Sequence, residues 1–171
     1  MMKRRKLVAM AAVAVMVFNV TGSVYAASTP REVPVTYDNT LIPDPDNPGT
    51  PTWGVALPGK IMFSDNKKTI SGLDVELKGM NGHDLAGDLK VNVSVTSANS
   101  YSVKYNDAEV AYTLTYDSGT ALSGAGANTL DVLTAASPKR EGTAVLTGTA
   151  TEQGAYSDTL TYKVEKDLST T

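Results

Sequence analysis

The chain has 171 residues, with 15 Lys and Arg against 18 Asp and Glu, and no cysteine. The lack of cysteine excludes a disulfide scaffold and thiol chemistry. The acidic balance argues against nucleic acid as a partner, because affinity for it rests on Lys and Arg neutralising phosphates.

Lys3, Arg4, Arg5 and Lys6 form a basic start, residues 7–20 are apolar, and Val24-Tyr25-Ala26 offers a small-residue cleavage pattern. That order is expected of a secretory signal peptide, residues 1–26, removed after Ala26. The alternative is a retained anchor, but an apolar core of 14 residues falls short of the roughly 20 needed to span a bilayer. Cleavage leaves residues 27–171, with 11 basic and 18 acidic residues and a net charge of −7. This mature chain is long enough for one domain with its own core. Its expected location is secreted or cell-surface, without membrane association. No second apolar segment and no wall-sorting tail follows the leader.

Residues 27–52 read as an N-terminal extended strand and a linker. Residues 32–37 alternate apolar and polar positions, with Val33, Val35 and Tyr37 on one side and Pro34 suggesting an edge. Four prolines in residues 42–51 then predict a semi-rigid linker or a long surface loop.

From Trp53 to the end, residues 53–171, short strands alternate with turn residues. Strands are expected at 53–57 and 60–63 around Pro58-Gly59, near Ile70, at 73–77, at 89–96, at 101–105, at 110–116, at 129–133, at 142–151 and at 156–164. Leu89, Val91, Val93 and Val95 facing one way, with Lys90, Asn92, Ser94 and Thr96 the other, make 89–96 the clearest half-buried strand. Nothing in the mature chain follows a 3.6-residue period. The expected fold is all-β, an immunoglobulin-like antiparallel sandwich of about seven to nine strands, with a closed barrel as the alternative.

Candidate chemistry is sparse. His83, the lone histidine, neighbours Asp84, but there is no Gly-x-Ser-x-Gly elbow to supply a nucleophile. Asp44, Asp46 and Gly49 superficially match a calcium loop, yet prolines occupy the intervening positions. Trp53 with Tyr101, Tyr105, Tyr112, Tyr116, Tyr156 and Tyr162 could stack on sugar rings. Tyr112 and Tyr116, however, share a strand face with Val110 and Leu114, which is a core pattern. No catalytic, cofactor-binding or metal-binding residue is assigned, and Trp53 stands as the candidate glycan contact.

The run Gly154-Ala155-Tyr156-Ser157-Asp158, leading into Leu160, Tyr162 and Val164, resembles the last strand of the spore coat protein U and Csu-type pilin family. In that family a Gly-x-Tyr-x-Asp segment opens the final strand of an immunoglobulin-like sandwich. The leader and Thr-rich strands are more loosely similar to Gram-positive surface proteins related to the WxL group. The resemblance implies a structural or adhesive surface role, non-enzymatic and without cofactor. Self-association or other surface proteins are then the expected partners, with Val33, Val35 and Tyr37 as a candidate strand-exchange segment; the favoured alternative is that this strand pairs within its own sandwich. The alternative is a carbohydrate- or cell-wall-binding module.

Overall fold

The computed structural model describes residues 41–168; the expected signal peptide and the 32–37 strand lie outside them. The described residues belong to one compact unit, Tyr37–Thr171. They form no helix and twelve strands, several of only two or three residues.

Strands β1 (Leu41–Pro43), β2 (Trp53–Ala56), β4 (Val75–Gly79) and β10 (Lys139–Arg140) form one antiparallel sheet in that order. A second runs β3 (Thr69–Ser71), β11 (Gly142–Leu146), β7 (Ala108–Tyr116), β6 (Ser102–Tyr105). In the third, β12 (Leu160–Lys166) and β8 (Asn128–Thr129) flank β5 (Lys90–Ser97), and β9 (Leu133–Thr134) also pairs with β5. A tight turn, closed by mutual backbone bonds between Thr134 and Ser137, joins β9 to β10 and so links the third sheet to the first. The inner faces share one core: Val55, Val75, Leu77, Val91, Val93 and Val95 pack with Ile70, Tyr112, Leu114 and Ala144 of the second sheet. This is an all-β sandwich.

Strict alternation predicts β5 well. Its burial switches residue by residue along all eight positions, as a pleated strand with one wet face requires. The 129–133 stretch is less regular. Thr129 pairs with Ser94 and Leu133 with Val91, so four steps on one strand oppose three on the other. That extra residue is a β-bulge. It is what lets Leu130 and Leu133, an odd number of residues apart, both bury their side chains.

Of the two readings of residues 42–51, the structure has the surface loop rather than the linker: Leu41–Pro43 pairs with β2, and the prolines that follow sit in a turn fastened to the sheet. Asp44, only 8% exposed, bonds through its backbone N–H to the Trp53 carbonyl and accepts the Asp46 N–H on its carboxylate. Proline removes donors that an edge strand and a turn do not need, so the same composition suits both readings. The folded body therefore starts upstream of Trp53. Residues 60–63 do not form the expected strand. They cross from the first sheet to the second, where no ladder can run alongside, and Ile61 and Phe63 plug the core from that crossing.

The hairpins show how the chain reverses. Asn81 and Gly82, both with positive φ and spanned by a His83 N–H to Met80 C=O bond, make the primed turn that Asn-Gly favours. Asp117 and Ser118 adopt the same conformation without glycine, closed by Gly119 N–H to Tyr116 C=O at 2.9 Å. Asp117 is held there by accepting the Glu141 N–H at 2.7 Å, whereas Ser118 is exposed and carries left-handed strain. Replacing Ser118 with Gly is expected to raise the unfolding free energy by roughly 0.5–1 kcal/mol. Urea titration of the two proteins checks this, with an unchanged m-value.

Candidate functional site

The residues that resemble a family motif have structural work to do. Asp158 stands just before β12, at the place where the chain steps from β6 to β5; Ser157 bridges to Lys104 of β6, and Thr159 C=O accepts the Ala98 N–H. Its Oδ2 accepts the hydroxyls of Ser97 at 2.7 Å and Tyr112 at 2.6 Å. Its Oδ1 accepts the backbone N–H groups of Asn99 at 3.0 Å and Thr159 at 2.7 Å. A carboxylate has about four acceptor sites, and all four are filled. Ser97, 2% exposed, is equally committed, for it spends its one proton on Asp158 and accepts the N–H groups of Asn99 and Tyr101.

Tyr101 occupies a third primed turn, with φ of 53° at Ser100 and 63° at Tyr101, and Ser102 N–H bonded to Asn99 C=O. A bulky residue with left-handed φ is strained. Burial of the ring compensates: it packs edge-on against Tyr112 at 5.9 Å, and its hydroxyl accepts from Asn128 Nδ2 at 3.0 Å. Phe63 closes the other side of Tyr112 at 5.7 Å. Deeper in the core, the Tyr116 and Tyr162 hydroxyls share a hydrogen bond of 2.8 Å that ties β7 to β12 across the sandwich.

The other two motif residues act on the surface side. Tyr156 packs on Tyr105, ring centroids 5.7 Å apart, while Glu152 donates its N–H to the Tyr156 hydroxyl. Gly154 lies under the Tyr105 ring, in a space that a Cβ would occupy.

The candidates from sequence fall out as follows. Val33, Val35 and Tyr37 lie outside the described residues. Trp53 is 4% exposed and belongs to the core, so its ring offers no face for stacking on a sugar. Tyr101, Tyr112 and Tyr116 are buried, and Tyr105, Tyr156 and Tyr162 are half-buried, so the seven aromatics form no single platform. His83 is exposed in its turn. The Asp44 loop is closed on itself by the bonds already described and by mutual bonds between Asn47 and Thr50. No group of three or more His, Cys, Asp or Glu among the described residues is placed to hold a metal ion.

Sequence reasoning passed over Ser97 and Arg140. Ser97 is a polar residue at an inward position of an alternating strand, and that break in pattern is its signal. Arg140 has a side chain 12% exposed and donates to the carbonyls of Val132, Asp131 and Lys139 and to the Ser137 hydroxyl, bracing the 131–140 loop. Local sequence carries no mark of that.

No protein-family model, no curated protein and no solved structure matches the chain.

Removing Asp158 strands two hydroxyls and two N–H groups at once. Asp158→Ala is expected to cost about 3 kcal/mol, measured by denaturant unfolding, with Ser97→Ala in the Asp158→Ala background adding less than it does alone. The tyrosines set a second expectation. Burial first, then the Asp158 carboxylate, pushes the Tyr112 phenol well above its ordinary 10.0, and burial followed by Tyr162 does the same for Tyr116. The folded state thus keeps protons that the unfolded chain releases, so stability is complete below about pH 10 and is lost as pH climbs through the range above it. Melting temperatures should stay level toward pH 10 and drop beyond it, with a shallower drop in Tyr112→Phe.

Proposed function

We propose that this chain is an exported, non-enzymatic structural or adhesive protein of the cell surface or extracellular matrix, a subunit that associates with its own kind through open sheet edges. The observation that carries the reading is β12. It pairs with β5 along one side for all seven residues and with no strand along the other among the described residues. An unpaired edge of that length is a template for an added strand.

The leading segment supports the same reading. With the proline-rich residues folded onto β2, only residues 38–40 separate the alternating 32–37 stretch from β1. Val33, Val35 and Tyr37 would supply the apolar side of a strand added to a second copy. The polar groups inside the described fold give further support: Asp158, Ser97 and Tyr112 are committed to holding strands together. A glycan-binding role loses its best contact, since the Trp53 ring is in the core.

Sedimentation of the full chain and of a form lacking residues 27–40, over a concentration series, tests the proposal. Oligomers that weaken on deletion support a role for the leading segment, and a monomer in both forms at every concentration removes the self-association reading.

A further inference from the structure

The open edge of β12 carries its own register code, and the geometry points to a second copy of β12 as its occupant, paired antiparallel about a two-fold axis at Val164. The inference rests on the self-association reading above but not on the leading segment.

The backbone comes first. Thr159 C=O accepts from Ala98 and Asp167 N–H donates to Lys90 at the two ends of the β5–β12 ladder. In an antiparallel pair such bonds recur at every second residue, so Thr161, Lys163 and Glu165 also spend their backbone groups on β5. The N–H and C=O groups of Leu160, Tyr162, Val164 and Lys166 therefore point out of the open edge. A second β12 can bond there only if these even-numbered residues pair with even-numbered residues. Four registers near the middle of the strand satisfy that condition, with the axis at Tyr162, Lys163, Val164 or Glu165.

Charge selects among them. Lys163 and Glu165 lie on the solvent face, both exposed, in an ion pair of 2.7 Å within the strand. An axis at Lys163 puts that lysine against its own copy, an axis at Glu165 does the same with the carboxylates although it also sets Lys163 opposite Asp167, and an axis at Tyr162 leaves Lys163 opposite the neutral Thr161. Like charges directly opposite are destabilising, which is how edge charges ordinarily prevent pairing. An axis at Val164 alone sets Lys163 opposite Glu165 of the second copy, twice over by symmetry.

The apolar row agrees with this choice. In the Val164 register Leu160 faces Leu168 of the second copy, and Tyr162 faces Lys166, whose stem can lie along the ring. Leu168 is 79% exposed and, with Met62, is one of only two large apolar side chains described as exposed. The register gives it an apolar partner. One short edge buries less than the roughly 1,200 Å² of a stable interface, so the dimer belongs to the weak, concentration-dependent class.

The test is sedimentation equilibrium of the full chain, recovered in the form its host cell releases, at concentrations up to about 0.5 mM. Wild type is expected to show a monomer–dimer equilibrium. Lys163→Glu and Glu165→Lys should each weaken it at least about tenfold by placing like charges opposite, and the double exchange should restore it. Lys166→Pro removes an outward N–H without touching the β5 ladder and should weaken it as well. Both charged side chains are exposed, and circular dichroism verifies that each variant is folded. A dimer indifferent to the single charge reversals, or singly weakened but not restored by the double exchange, overturns the β12 pairing. If such a dimer disappears on deleting residues 27–40, the leading-segment reading survives while this one falls. A monomer at every concentration sinks both.

Discussion

A single carboxylate, filled at all four acceptor sites, ties the end of this chain to its middle. Asp158 joins the turn between β5 and β6, the side chain of Tyr112 on β7 and the start of β12 in one knot of hydrogen bonds. Among the described residues β12 is an edge strand, with a strand neighbour on one side only, so its ladder would fray without an anchor at the end where it enters the sheet. The anchor is strong because the groups are charge-assisted and partly shielded from water, where an unmade bond is costly. The strained left-handed turn at Ser100 and Tyr101 depends on it too, since Ser97 must be oriented by Asp158 before it can receive the Tyr101 N–H.

The rest of the sandwich follows from that closure. With β12 fixed against β5, the Tyr162 hydroxyl meets Tyr116 from the other sheet, and Val164 completes the row begun by Val91, Val93 and Val95. Tyrosine suits these places because it fills core volume and still brings one hydroxyl to satisfy a polar neighbour. A chain without cysteine has no covalent staple; cross-sheet tyrosine bonds and the carboxylate knot take over part of that role. Anchoring the edge also leaves its far side rigid and open, which is the state in which an edge can choose a partner by register.

That choice illustrates how a few charges can act by exclusion. In the proposed pairing, two oppositely charged residues two positions apart on an edge would attract a second copy in one register and set like charges opposite in the two beside it. The same pair on an interior strand would be an ordinary surface feature.

Much of the architecture was legible before any coordinates. Period-two alternation at 89–96 and 110–116 set two central strands and their inward faces, because burial of one side of a pleat leaves no other arrangement. The Gly-x-Tyr-x-Asp segment could be noticed as a pattern, but its purpose could not, since Asp158 acts on residues 46 to 61 positions away. Composition left the proline-rich residues open between linker and surface loop, for a missing N–H looks the same in a tether and in a turn pinned to a sheet. It also favoured Trp53 as a surface contact, where only packing decides whether a large ring is inside. Sequence by itself determined the strand periodicity and the charge order along β12, both local properties of the chain. Only the tertiary structure decided which edge stays open and which residues knot the fold, because these depend on strands far apart in sequence meeting in space.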